Sequence, residues 1–206
     1  MISNLTPFTN VLAHFKKNDP KIAHVLTQIN LSDWFEDRPS SDHFFNLARN
    51  IIYQQLAGAA ASTIFSRFEK LVSGVDPAHV LAVTDQELRD VGLSWAKVRY
   101  VKDLATKVSS NEVVLDNITN LDNETVISEL TKVKGIGRWT AEMFLLFTLH
   151  REDIFSFGDL GLKNGFSKLY GITDPSTAQI QKIITKWSPY SSYGSIALWH
   201  HLDNRP

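Results

Sequence analysis

Two short segments carry residue types whose spacing could do chemistry. The first is Leu130-Thr131-Lys132-Val133-Lys134-Gly135-Ile136-Gly137-Arg138-Trp139-Thr140-Ala141. Two glycines separated by one residue open an apolar helical stretch. Glycine admits positive φ and lets another molecule come close to the backbone. The amides of Gly135, Gly137 and Arg138, set at a helix N-terminus, would favour an anion. Lys132, Lys134 and Arg138 place three positive charges around the loop, flanked by Glu129 and Glu142. These features describe a phosphate clamp; the plainer reading is a helix–helix turn closed by glycines. The second segment, Phe155-Ser156-Phe157-Gly158-Asp159-Leu160-Gly161-Leu162, sets one carboxylate among apolar neighbours at a helix start. Asp159 suits an N-cap. It comes 22 residues after Gly137, so one helix and a turn would bring the chain back towards the loop. An acid near a phosphate clamp points to chemistry on a nucleic acid backbone or its base.

The elements that would position these segments read as helical almost throughout. Phe44, Leu47, Ala48, Ile51, Ile52 and Gln55 keep the spacing of one helix face, with Ser41 or Asp42 as cap after the Pro39-Ser40 break. Further helices are predicted over Ala59–Val72, around Val98–Val108, and around Val126–Leu130 with Asp122 or Asn123 as cap. Others fall over Gly137–Leu149, Asp159–Leu169, Thr177–Trp187 and Ser191–Leu202. The stretch after Gly137 is apolar nearly all round, which predicts a central, buried helix. Val113, Val114 and Leu115 could make a short strand, but no long period-2 run exists. The expected fold is all-α, with about ten to twelve helices.

Composition narrows the function classes. The 206 residues suffice for one large domain or two small lobes with a real core. With 43% hydrophobic and 21% charged residues, the chain is not broadly disordered. The longest strictly apolar run, Met143 to Phe147, is far too short to span a bilayer. Met1-Ile2-Ser3-Asn4 offers no basic n-region, so the expectation is an intracellular protein with no membrane partner. The absence of cysteine excludes disulfides, thiolate zinc sites, cysteine nucleophiles and Cys-ligated iron–sulfur clusters. The adjacent His200 and His201, facing different sides of a helix, make no convincing metal site. The net charge of −1 leaves nucleic acid binding to a local patch rather than a cationic surface.

With these motifs in view, the chain resembles the helix-hairpin-helix DNA glycosylase superfamily. Within it the likeness is to 3-methyladenine DNA glycosylase II, particularly the compact alkylbase glycosylases. The glycine loop with its adjoining helix and the Gly158-Asp159-Leu160-Gly161-Leu162 segment carry the likeness. Ile51-Ile52-Tyr53-Gln54-Gln55-Leu56, Ala60-Ala61-Ser62-Thr63-Ile64-Phe65 and Val91-Gly92-Leu93-Ser94-Trp95-Ala96-Lys97 agree with it. It runs from about residue 40 to 200. The resemblance implies two helical lobes with a DNA-binding cleft. One would hold about 40–145, with the hairpin at 130–141. The other would hold about 1–39 with 146–206.

The same resemblance implies roles for individual residues. Asp159 matches the catalytic aspartate, while Gln55 and Leu56 match the plug and wedge. Trp139, Tyr190 and Phe157 are candidate walls of the base pocket, with core packing as the other reading of each. The hairpin would bind duplex DNA through Lys132, Lys134, Gly135, Gly137 and Arg138. A Na⁺ or K⁺ ion would be held by carbonyls near Thr131, Val133 and Ile136, and no cofactor would be needed for chemistry. Bifunctional members carry a lysine after Gly-x-Gly-Arg/Gln; here that position is Trp139, which predicts no lyase activity. Ala57 stands just after the wedge, where relatives often have a polar residue. The expected function is a monofunctional glycosylase releasing alkylated purines from duplex DNA, acting as a monomer. Its compartment would be nuclear in a eukaryote and cytoplasmic otherwise. A homologue that only binds damaged or abasic DNA, and a helical protein-interaction module, are the alternatives.

Overall fold

The computed structural model describes residues 6–31, 42–56 and 58–203; the Pro39-Ser40 break, Ser41 and Ala57 lie outside them. The chain divides into two compact units, Pro39–Phe144 and Met1–Arg38 with Leu145–Pro206. Among the described residues there are twelve α-helices and no strand.

The first unit holds α3 (His43–Tyr53), α4 (Gly58–Val72), α5 (Pro77–Ala82), α6 (Asp85–Asp90), α7 (Trp95–Ser109) and α8 (Asn123–Leu130). It also holds the start of α9 (Arg138–Phe147), within which the division falls. Side chains fix where these helices begin. Asp42 Oδ1 accepts the Phe45 amide at 2.8 Å, and Asp122 Oδ1 accepts that of Thr125 at 3.0 Å. Thr84 and Glu87 form a reciprocal capping box on α6. The core gathers Leu47, Ile51, Phe68, Leu88, Val101 and Leu130, all fully buried.

The second unit contains α1 (Phe8–Asn18), α2 (Pro20–Leu26), α10 (Leu160–Tyr170), α11 (Thr177–Ile184) and α12 (Ser191–Asp203). Asp19 is buried between α1 and α2. It caps α2 and accepts the Trp187 indole N–H at 2.8 Å and the Tyr170 hydroxyl at 2.5 Å. Helices α10 and α12 pack so closely that a Cβ at Gly165 would lie 2.5 Å from the Leu198 carbonyl oxygen.

Several expectations change in detail. Val113–Leu115 is not a strand: the Val113 amide donates to Lys107 and that of Val114 to the Glu129 carboxylate, so no partner strand is needed. Helix α9 is not buried all round, since Trp139 and Phe147 are exposed on it. Gln55 does not continue the face of α3. The helix ends at Tyr53, and Gln55 takes a left-handed φ of 58°.

Candidate nucleic-acid interface and carboxylate site

The first unit brings the hairpin together with the end of α3. Between α8 and α9, the amides of Lys134 and Ile136 are consumed internally, by Asp103 Oδ2 at 2.8 Å and the Val133 carbonyl at 3.1 Å. Among the described residues, nothing accepts from the amides of Gly135, Gly137 and Arg138. Those three donors stand where α9 begins and where an anion is favoured. The conformational demand falls on Gly135, with φ of 83°. There a Cβ would come 2.2 Å from the Tyr100 ring. Gly137 is different: its φ is not positive, and nothing lies within 4 Å of the place a Cβ would occupy.

The three hairpin cations are not bare charges. Arg138 binds Glu124 in bidentate fashion, at 2.5 and 3.0 Å, and its Nε binds Glu142 at 3.0 Å. The Glu124 carboxylate thereby holds the guanidinium well above its usual range, and Glu124 is itself pulled below the usual carboxylate range. Lys132 pairs with Glu129 at 2.6 Å, and Lys134 with Asp103 at 3.4 Å. Glu129 and Glu142 flank the loop in sequence. Asp103 comes from α7 and Glu124 from the start of α8, 31 residues before Lys134 and 14 before Arg138, so the linear spacing gives no sign of them as partners.

Of the residues matched to a cation site, Thr131 is exposed, whereas Val133 and Ile136 are buried. Their carbonyls are hard oxygen donors of the kind alkali cations take. The Val133 carbonyl already accepts the Ile136 amide but retains a second lone pair. Among the described residues, no His/Cys/Asp/Glu cluster could hold a metal ion.

A cavity of about 470 Å³ opens beside the hairpin, lined by Asn50, Tyr53, Gln54, Gln55, Gly135, Trp139, Thr140 and Met143. No charged side chain lines it. Trp139 is 46% exposed, which a residue of the core would not be. Leu56 is 38% exposed at the turn after α3, so it also lies outside the core. A non-glycine residue at positive φ costs about 1–3 kcal/mol, and Gln55 holds that strain next to the cavity.

The second unit carries the carboxylate. Asp159 caps α10 and is only 9% exposed. Its Oδ1 accepts the Leu162 amide at 2.7 Å and the Trp199 indole N–H at 3.0 Å. The Trp199 ring is in turn stacked on Phe147. Gly161 permits the arrangement, because a Cβ there would lie 3.0 Å from Asp159 Oδ1 and 3.1 Å from the indole. Trp199 carries no sequence signal of this role; its link to Asp159 spans 40 residues. Two of the three aromatic candidates also lie in this unit. Phe157 is 42% exposed and meets Phe155 edge-on. Tyr190 is half-buried, its ring edge-on to His14 and to Tyr193.

Among the described residues the chain is all-helical, with a helix–glycine loop–helix hairpin and a buried aspartate that caps a helix. The HhH-GPD superfamily of base excision DNA repair proteins matches residues 48–189, and the chain belongs to that family. DNA-3-methyladenine glycosylase 1 of Schizosaccharomyces pombe is 31% identical over 158 residues, covering 74% of this chain and 69% of that protein. The crystal structure of a DNA-3-methyladenine glycosidase from Bacillus halodurans matches with a TM-score of 0.80 and 31% identity, over 97% of this chain and 90% of that one. A Schizosaccharomyces pombe 3-methyladenine DNA glycosylase in complex with abasic DNA matches with a TM-score of 0.77 and 27% identity, over 92% and 95% of the two chains. The chain spans 56% of the length of a putative Bacillus subtilis DNA-3-methyladenine glycosylase to which it is 30% identical.

Proposed function

We propose that this protein is a monofunctional DNA glycosylase that flips alkylated purines of the 3-methyladenine class out of duplex DNA and hydrolyses their glycosidic bond. The observation that carries this reading is Asp159, a buried carboxylate held by a helix N-terminal amide and an indole N–H. An alkylated purine is cationic, so its C1′–N bond is weak and the leaving base needs little acid. An anion near the sugar stabilises the positive charge that develops as the bond breaks, and orients the water that adds to C1′. The helix N-terminus favours that negative charge.

Extraction of the base needs a filler for the stack and aromatic surfaces for the base. Gln55 and Leu56, exposed on a strained turn, suit the first task. Trp139 suits the second, with Tyr190 and Phe157 as further walls; a π face attracts a cationic base by about 0.5–2 kcal/mol. The amides of Gly135, Gly137 and Arg138 bind a DNA phosphate, with Lys132 and Lys134 beside them. The carbonyls of Thr131, Val133 and Ile136 hold a Na⁺ or K⁺ ion that adds positive charge at the same backbone. Trp139 in place of a lysine leaves no amine there for a Schiff base, which supports hydrolysis without lyase activity. The protein works as an intracellular monomer, in the nucleus if its source is a eukaryote and in the cytoplasm otherwise.

Ala57, lacking a donor or acceptor after the wedge, favours a second reading: a homologue that binds damaged or abasic DNA with little excision. One experiment separates the two. Methylated bases released from alkylated DNA are measured for wild type and Asp159→Asn, beside a titration of abasic duplex. Release by wild type alone, with binding retained in both, supports the glycosylase. Binding without release by wild type supports the binder.

A further inference from the structure

We infer that Lys97 is a positioning residue that clamps the turn carrying Gln55 and Leu56, an inference that rests on the plug and wedge reading of those two residues. Helix α3 ends at Tyr53 with no basic residue in its last turn. The last carbonyls of a helix lack internal partners, and a cation there is favourable. Lys97 supplies it from the first turn of α7, where Ser94 caps the helix. Its Nζ donates to the carbonyls of Ile52 and Gln54, both at 2.7 Å, across 45 and 43 residues of sequence. The ammonium is held there although burial pulls it below the usual lysine range.

A second tie acts on the same peptide. Gln54 leaves the helix in an extended conformation, and its side-chain amide donates to the Gly135 carbonyl at 3.0 Å and to Thr140 Oγ1 at 3.3 Å. The main chain before Gln55 is thus fixed to α7 by Lys97 and to the hairpin by Gln54. Beyond it, the Leu56 amide closes the turn on the Tyr53 carbonyl at 3.3 Å. Gln55 keeps its positive φ, and Leu56 its exposed position, because the preceding backbone has nowhere else to go. A turn ordered in advance inserts into DNA without first losing its conformational freedom. The benefit arises only where a nucleotide has left the stack, so the clamp acts on damaged and not on intact duplex.

The test compares wild type, Lys97→Met, Gln54→Leu and Leu56→Ala. Each is titrated with intact duplex and with duplex holding a tetrahydrofuran abasic analogue opposite 2-aminopurine, with melting curves alongside. Lys97→Met keeps most of the aliphatic stem and removes the ammonium. The expected result is a fall of about tenfold in preference for abasic over intact duplex. The fluorescence change of 2-aminopurine on binding should shrink with it, while intact-duplex affinity and its salt dependence stay put. A folded Lys97→Met with wild-type preference and wild-type fluorescence overturns the inference, as does equal weakening on both duplexes. If Lys97→Met does not fold, Gln54→Leu decides by the same two readouts. Leu56→Ala separates the inference from the reading beneath it. If Leu56→Ala keeps the preference, the wedge reading fails; if it loses the preference and folded Lys97→Met does not, only the clamp fails.

Discussion

The hairpin and the carboxylate site handle charge in opposite ways. At the hairpin, the side-chain charges that stand out in the sequence are cancelled by Glu124, Glu142, Glu129 and Asp103, and the groups left open are the amides of Gly135, Gly137 and Arg138. At Asp159 the conspicuous charge is itself the group presented, buried and steered by hydrogen-bond donors that have no charge of their own. Under the proposed function, the backbone does the binding in the first region and side chains hold the shape, whereas in the second a side chain does the chemistry and the backbone holds it. The two should therefore respond to opposite kinds of substitution.

The largest effect is expected at Asp159. Changing it to Asn keeps size and one acceptor oxygen but removes the charge. Excision in single-turnover assays should fall about 10²–10⁴-fold, the range for a positioned acid or base, while abasic-duplex affinity stays nearly constant. Comparable excision by the mutant would take Asp159 out of the mechanism. A collapse of thermal stability would instead reduce it to the cap of α10.

Trp199→Phe probes the steering donor. It removes one hydrogen bond to a charged group, worth about 1.5–3 kcal/mol, and retains an aromatic ring for Phe147 to stack on. Single-turnover excision should fall about tenfold to a hundredfold with little change in DNA affinity. Unchanged excision by the folded variant would show that the indole N–H is not needed to orient the carboxylate.

Legibility in the sequence divides along the same line. Helices with a strong apolar period, such as α3 and α4, are readable, and Asp42 and Asp122 each stand as one of two candidate caps. The sequence reading names no helix at α1, nor at the short helices α2, α5 and α6. Yet Asp19-Pro20, Asp76-Pro77 and Thr84-x-x-Glu87 mark the starts of three of them. The glycine loop and Asp159 stood out because their residue types are rare in that pattern. Asp103, Glu124, Lys97 and Trp199 did not, because their meaning lies in partners 14 to 45 residues away. Ion-pair partners are a tertiary fact, so counting only local acids overstated the hairpin charge.

The two hairpin glycines give an internal contrast. Gly135→Ala forces a side chain onto a positive φ and into the Tyr100 ring, which should destabilise the fold by about 1–3 kcal/mol. Gly137→Ala meets nothing within the protein and should melt close to wild type. Its methyl group would stand where a phosphate must approach the neighbouring amides, so affinity should fall on every duplex. Calorimetric melting and a binding titration check both. Equal melting of the two variants would contradict the assignment of conformational need to Gly135, and wild-type binding by Gly137→Ala would leave the hairpin as a turn only.

The smallest effect, and the sharpest test of the contrast, is in salt dependence. Each phosphate neutralised by a free cation adds about 0.9 to the slope of log affinity against log salt on duplex DNA. Arg138 enters binding already paired with Glu124 and Glu142, and Lys134 already paired with Asp103. An internally compensated cation releases few counterions, so Arg138→Ala and Lys134→Ala should each lower the slope by well under about 0.9. The converse substitution uncovers the charge: Glu124→Gln frees one face of the Arg138 guanidinium and should raise affinity and steepen the slope on every sequence. These changes are read from salt titrations of one abasic and one intact duplex. A full unit lost in Arg138→Ala would mean that the guanidinium leaves Glu124 for a phosphate on binding. The hairpin would then work through its side chain, as proposed for the Asp159 site, and the division between the two regions would fail.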